Sequence, residues 1–127
     1  MAASPLKYYI VDDDPDAVEI TTLILEAAGH IVKSQVVGLY AISEIVRMRP
    51  NCVLVDLMMG GLDGLELCRE LRTHPELNRT TLAIVTAKKG DVWRERAEEA
   101  GADGFFTKPL DPAFFAGEVE KLVRLHQ

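Results

Sequence analysis

The sequence contains little of what several common classes of protein require. Its two cysteines, Cys52 and Cys68, are too far apart for a CxxC pair and have no further thiol partners, so thiol chemistry and zinc binding have little support. Basic residues are outnumbered: 14 Lys and Arg stand against 20 Asp and Glu, for a formal net charge of -6. Because nucleic-acid modules usually present a basic face, we expect no direct contact with nucleic acid.

Long apolar segments are missing as well. The N-terminal stretch MAASPLKYYI lacks the basic region and apolar core of a signal peptide, and no apolar run approaches the roughly 20 residues that span a membrane. We therefore expect a cytoplasmic protein without a membrane partner. With 127 residues, the chain is long enough for one domain with its own core and too short for two.

The sequence does contain a regular alternation of two kinds of segment. Five short runs are apolar and β-branched, which predicts strands, and the stretches between them carry apolar residues at helical spacing. Because parallel neighbouring strands need a crossover, this order predicts a parallel sheet with helices on both faces. The predicted strands cover residues 8–12, 31–37, 52–56, 82–87 and 104–108.

Aspartates mark three of the predicted helix starts. Asp14 and Asp111 each precede a proline, and Asp63 precedes an amphipathic run. A carboxylate followed by proline or by a helical pattern is typical of an N-cap. We therefore assign Asp14 to capping, although it directly follows two other aspartates, and expect the last helix to open at Asp111.

Chemically active side chains follow four of the five predicted strands. Asp12 and Asp13 come after the first strand, Asp56 after the third, Thr86 after the fourth and Lys108 after the fifth. Ligands of open parallel sheets bind outside the carboxyl ends of the strands, so these side chains should converge.

The expected cluster of three carboxylates needs a cation. Mg²⁺ prefers a few carboxylates together with waters and phosphate oxygens, and it would keep the acids ionised. Without it, mutual repulsion should raise the pKa of at least one of them. A divalent cation, a hydroxyl and an ammonium around one carboxylate are what a transferring phosphoryl group needs.

Four motifs stand in order at the predicted strand ends: VDDD, VLVDLMMGGLDG, VTA and GADGFFTKP. Together they resemble a response-regulator receiver domain, the phosphoacceptor half of two-component signalling, over essentially the whole chain. The resemblance implies a single receiver domain over residues 1–127. It also implies a flavodoxin-like, CheY-like three-layer α/β sandwich, with a five-stranded parallel sheet in the order 2-1-3-4-5 and five helices.

The resemblance assigns roles at the metal and acceptor site. Asp56 is similar to the family's phosphoacceptor, and Asp12 and Asp13 to its acidic pair. With Asp56 and the backbone carbonyl of Met58, the pair would bind Mg²⁺. The phosphoryl donor would be a histidine kinase or a histidine phosphotransfer protein, and the domain would catalyse only its own phosphotransfer and dephosphorylation.

The resemblance also implies a switch. Thr86 matches the hydroxyl that closes on the phosphoryl group, Lys108 the family's lysine, and Phe105 the rotating aromatic. The bond between Lys108 and Pro109 would be cis. The surface that changes would be the fourth helix, fifth strand and fifth helix, about residues 91–125. This surface would serve an unidentified output partner, an output domain or a homodimer.

Some features depart from this pattern or admit other functions. A metal-dependent aspartyl phosphatase usually has a second acid two residues past the nucleophile, where this chain has Met58. A flavin-phosphate binder needs an uncharged cradle after the first strand, where this chain has aspartates.

Gly60 stands where the family usually has proline, which would loosen the loop. We expect His30 and the other two histidines to be solvated. Trp93 could anchor a partner, but its helical spacing with two alanines favours packing in the core.

Overall fold

The computed structural model describes residues 4–59 and 62–126. Its main sheet has five parallel strands in the order β2-β1-β3-β4-β5, which confirms the predicted fold. The strands are β1 (Lys7–Val11), β2 (Ile31–Gln35), β3 (Cys52–Val55), β4 (Thr81–Thr86) and β5 (Gly104–Thr107). The helices are α1 (Pro15–Ala27), α2 (Gly38–Met48), α3 (Gly64–Arg72), α4 (Asp91–Glu99) and α5 (Phe115–Leu125).

Two smaller elements lie beside α3. Met58–Met59 pairs antiparallel with Leu62–Asp63, and Pro75–Leu77 forms one turn of 3-10 helix. Gly60, where the family usually has proline, and Gly61 lie outside the described residues. The effect of this departure therefore stays a prediction.

The side chains of β1, β3, β4 and β5 alternate between two apolar layers. In β1, Tyr9 and Val11 face the layer beneath α2, α3 and α4, whereas Tyr8 and Ile10 face the layer beneath α1 and α5. The central strand β3 is buried at every position. Helices cover both faces of this strand, which explains why its sequence is a continuous apolar run. The sheet and the helices on its two faces form three layers.

Two of the three predicted helix caps are confirmed. The Oδ1 atom of Asp14 accepts a hydrogen bond from the backbone N–H of Asp16 (3.0 Å), and that of Asp63 accepts one from Leu65 (2.8 Å). The start predicted for the last helix is wrong. Asp111 accepts a hydrogen bond from Ala113 (2.9 Å) and opens a turn, so that α5 begins only at Phe115.

The expectation that His30 is solvated is also wrong. Its side chain is buried, and its Nδ1 atom accepts a hydrogen bond from the backbone N–H of Leu6 (3.0 Å). The ring also packs edge-on against Tyr8. His30 therefore ties the start of β1 to the start of β2 and has a structural role.

Arg72 at the end of α3 holds together three segments that sequence patterns do not connect. Its guanidinium donates to the carbonyl oxygens of Leu77 (3.0 Å) and Thr80 (2.9 Å). It also donates to the carbonyl of Gly101 (3.0 Å) and to Asp103 Oδ2 (2.6 Å). Because these partners lie before β4 and after α4, Arg72 fixes the C-terminal end of α4 against α3.

None of the helices within residues 4–59 and 62–126 is long and apolar enough to cross a membrane.

Gly64 provides a test of how α3 approaches β3. A Cβ atom at this position would collide with the carbonyl oxygen of Asp56, and the Gly64 N–H donates to the Leu57 carbonyl (3.1 Å). We expect Gly64→Ala to lower the free energy of unfolding by about 1–3 kcal/mol, as overpacking usually does. Urea denaturation measures this change.

Gly117→Ala in α5 is the matched control, because a Cβ there meets nothing within 4 Å. Since alanine favours the helix more than glycine does, this variant should be more stable by up to about 1 kcal/mol. Equal stabilities for the two variants would contradict the close approach at Gly64.

Candidate phosphoacceptor site

A single ammonium group joins two of the predicted carboxylates. Lys108 Nζ lies 2.7 Å from Asp12 Oδ2 and 3.0 Å from Asp56 Oδ2, and it donates a hydrogen bond to each. The Asp12 and Asp56 side chains are 7% and 12% exposed and that of Lys108 is 21% exposed. Because burial weakens screening by water, the positive charge of Lys108 acts strongly on both carboxylates.

Backbone hydrogen bonds that continue the sheet position Asp12, Asp56 and Lys108, each one residue beyond the end of its strand. The backbone N–H of Asp12 donates to the carbonyl of Gln35 (3.3 Å), and that of Asp56 to Val11 (3.1 Å). Lys108 N–H likewise donates to the carbonyl of Thr86 (2.7 Å). The edge where the strands end is thus extended by one more row of hydrogen bonds.

The second oxygen of each carboxylate is held by nearby backbone. Asp12 Oδ1 accepts from the Asp14 N–H (3.0 Å), and Asp56 Oδ1 accepts from the Met58 N–H (3.1 Å). Each carboxylate therefore has one oxygen on the backbone and one on Lys108, which fixes its orientation. The Lys108–Pro109 bond is cis, as the resemblance implies.

Burial and hydrogen bonding act in opposite directions on the charges of the site. Burial raises the pKa of Asp12 above its usual range, although hydrogen bonds from Lys108 and from the Asp14 N–H oppose the shift. Burial by itself would lower the pKa of Lys108, but the hydrogen bonds to Asp12 and Asp56 and the attraction of their charges together raise it. Lys108 therefore stays charged at neutral pH.

The predicted upward shift of one carboxyl pKa is confirmed in direction and corrected in cause. Repulsion from Asp56 does raise the pKa of Asp12, but burial is the larger contribution. The sequence pattern showed that acids would crowd together, and it gave no measure of how deeply Asp12 would be covered.

The remaining predicted metal ligands are less enclosed. Asp13 is exposed, and Met58 is 56% exposed. Within the described part of the chain, no three His, Cys, Asp or Glu side chains are already grouped so that they could hold a metal ion. The carboxylates of Asp12 and Asp56 lie at the same sheet edge, where both contact Lys108. They offer the hard oxygen donors that Mg²⁺ prefers, so the donor chemistry fits this ion.

Thr86, the predicted switch hydroxyl, is fully buried at the end of β4. Its Oγ1 atom accepts a hydrogen bond from the backbone N–H of Lys88 (3.3 Å). Phe105 lies on the neighbouring strand opposite Ile84 and is half-buried against the layer beneath α2, α3 and α4. The guanidinium of Arg94 lies 5.1 Å from the centre of its ring.

Trp93 packs against the core layer beneath α2, α3 and α4, which confirms its predicted role. It has a second environment that the sequence pattern did not indicate. The Lys88 ammonium and the Arg96 guanidinium lie 5.8 Å and 5.1 Å from its ring.

The family model of the response regulator receiver domain matches residues 9–120. The chain belongs to this family, and it is a receiver domain of two-component signalling. The fold and the order of the strand-end residues described above agree with this assignment.

Named relatives show how much of a longer protein the chain matches. It is 31% identical over 121 residues to the DNA-binding response regulator MtrA of Mycolicibacterium smegmatis, covering 95% of this chain and 52% of MtrA. It is 32% identical over 118 residues to the response regulator PleD of Caulobacter vibrioides, covering 93% of this chain and 26% of PleD. The chain thus spans about half of one relative and a quarter of the other.

One solved structure matches the chain almost end to end. It is the BeF3-activated N-terminal receiver domain of RstA from Klebsiella pneumoniae, with a TM-score of 0.84 and 28% sequence identity. The match covers 93% of this chain and 98% of that domain. The similarity therefore lies in the receiver domain.

Binding of Mg²⁺ can be tested through stability. A ligand that binds the folded state stabilises it by mass action, by about 1.4 kcal/mol at ten times its dissociation constant. We expect millimolar Mg²⁺ to raise the melting temperature of the wild type and to have little effect on Asp13→Asn, which lacks one of the predicted ligand carboxylates.

Asp14→Asn is the control, because asparagine also caps a helix and the substitution removes the same charge one residue further on. This variant should keep the response to Mg²⁺. A wild-type melting curve that does not respond to Mg²⁺, or an unchanged response in Asp13→Asn, would contradict the metal assignment.

Proposed function

We propose that the chain is a phosphoacceptor switch, a single receiver domain over residues 1–127 in which Asp56 accepts a phosphoryl group from a histidine kinase or a histidine phosphotransfer protein. The observation that supports this most is the contact of one ammonium, Lys108, with both Asp56 and Asp12. A largely covered carboxylate that is oriented by the backbone and held beside a fixed cation is suited to accept and stabilise an anionic group.

The proposed reaction is a direct displacement at phosphorus. A carboxylate oxygen of Asp56 forms a bond to the phosphorus atom while the bond to the donor's imidazole nitrogen breaks, and the electron pair stays on that nitrogen. Lys108 is placed to neutralise the charge on the phosphoryl oxygens. Bound by Asp12, Asp13, Asp56 and the Met58 carbonyl, Mg²⁺ would supply a second positive charge to the same oxygens.

We further propose that the domain catalyses no reaction on other molecules beyond this phosphotransfer. Its phosphorylated form would lose the group when water attacks the same phosphorus atom, which regenerates the Asp56 carboxylate and releases inorganic phosphate. The lack of a second acid at Met58 supports this proposal over an aspartyl phosphatase, because that position has no general acid or base.

The phosphoryl group would be sensed by Thr86, whose hydroxyl lies at the same sheet edge. Turning Thr86 toward the new oxygens would vacate space that Phe105 can enter. We propose that the affected surface consists of α4, β5 and α5 and that it contacts an output domain, an output partner or a second copy of the chain. We also propose that this chain itself does not contact nucleic acid and that it works in the cytoplasm, which its two buried free cysteines fit.

Phosphorylation of Asp56 can be measured directly by intact mass. With Mg²⁺ and acetyl phosphate, the wild type should gain one phosphoryl group in an acid-labile linkage, and Asp56→Ala should gain none. Asp63→Asn should be labelled as the wild type is, because Asp63 caps α3 and asparagine preserves a cap. Full labelling of Asp56→Ala would remove this residue from its role.

The switch can be followed by backbone NMR with beryllofluoride and Mg²⁺, which mimic the phosphoryl group. We expect chemical shift changes to extend from Asp56 through Thr86 and Phe105 to residues 91–125. Thr86→Ala should shorten their reach, whereas Thr86→Ser retains the hydroxyl and should preserve it. If residues 91–125 of the wild type do not respond, the proposed output surface is wrong.

A further inference from the structure

Trp93, the only tryptophan in the sequence, lies close to the loop that follows the acceptor. It occupies the first turn of α4 and lines a hollow of about 280 Å³. The other walls of this hollow are Leu57, Met58, Met59 and Asp63. Leu57 directly follows Asp56, so the Trp93 ring connects α4 to the loop after the acceptor.

Lys88 connects this ring to the switch residue. Its backbone N–H donates to Thr86 Oγ1 (3.3 Å), and its ammonium lies 5.8 Å from the centre of the Trp93 ring. Lys88 therefore contacts the Thr86 hydroxyl through its backbone N–H, and it contacts the Trp93 ring of α4 through its side chain. A movement of Thr86 that breaks the first contact also frees the loop that supports the second.

A phosphoryl group on Asp56 would compete with Trp93 for this ammonium. The pairing of Val55 with Ile84 places Asp56 and the end of β4 at the same edge of the sheet. Lys88 lies two residues after Thr86 and is exposed, so its long side chain can turn without disturbing the core. An exposed cation–π contact is weak, whereas hydrogen bonds from an ammonium to phosphoryl oxygens are strong.

We propose that Trp93 is a positioning residue for Lys88. In the unphosphorylated protein its ring holds the ammonium away from Asp56, and on phosphorylation the ammonium leaves the ring for the phosphoryl oxygens. The first turn of α4 then loses a contact, which gives the site a second connection to the output helix besides Thr86 and Phe105. This inference rests on the proposed function of Asp56.

A double-mutant cycle tests the competition. Beryllofluoride with Mg²⁺ is titrated by calorimetry into the wild type, Trp93→Leu, Lys88→Met and the double variant. Loss of the ring should tighten binding about threefold, since the exposed contact no longer retains Lys88. Lys88→Met should weaken binding about tenfold, as expected for one hydrogen bond to a charged group. In the absence of Lys88, Trp93→Leu should have no effect.

Trp93 fluorescence supplies a readout that a purely structural role would not change. Its emission should change when beryllofluoride binds the wild type or Lys88→Arg, which retains a cation. The change should be much smaller in Lys88→Met. Lys89→Met removes the neighbouring exposed charge and should behave as the wild type does.

The outcomes separate this inference from the function on which it rests. If beryllofluoride binds but Trp93→Leu has the same effect with and without Lys88, Trp93 does not position Lys88 and the inference is overturned. An equal fluorescence change in Lys88→Met and the wild type overturns it as well. If beryllofluoride and acetyl phosphate both fail to react at Asp56, the proposed function fails.

Discussion

The bridge from Lys108 to Asp12 and Asp56 is the interaction on which the rest of the site depends. Two largely buried carboxylates at one sheet edge are costly unless a cation compensates them, and within the described residues Lys108 is the cation that contacts both. The bridge requires three strands to end in register, with one residue beyond each strand still in the ladder. Replacing Lys108 with an uncharged residue would leave both carboxylates without the cation that they share.

The structure around this sheet edge positions α3 and α4 beside it. Gly64 lets α3 approach the Asp56 carbonyl, and Arg72 fixes the far end of α4. At the near end of α4, Trp93 packs against the core and its ring lies near the Lys88 ammonium. The first turn of α4 therefore lies between the core and the loop that carries Lys88.

The sequence predicted the fold and the convergence of Asp12, Asp56 and Lys108 because both follow from local patterns. Strand and helix periodicities gave the layers, and residues that follow parallel strands share an edge whatever the details of packing. Burial and long-range contacts could not be predicted in the same way. His30 and Arg72 have partners that only the tertiary fold brings near, and Asp111 opens a turn because its side chain bonds locally before the helix begins.

The central claim is that Asp56, one of the two carboxylates that contact Lys108, receives the phosphoryl group. Borohydride reduction tests it most directly, because hydride cleaves an aspartyl phosphate and converts the residue to homoserine. Peptide mass mapping of protein treated with acetyl phosphate, Mg²⁺ and then borohydride should find homoserine at position 56 and at no other aspartate. Homoserine at Asp12 or Asp13, or its absence from a protein that has gained a phosphoryl group, would contradict the account.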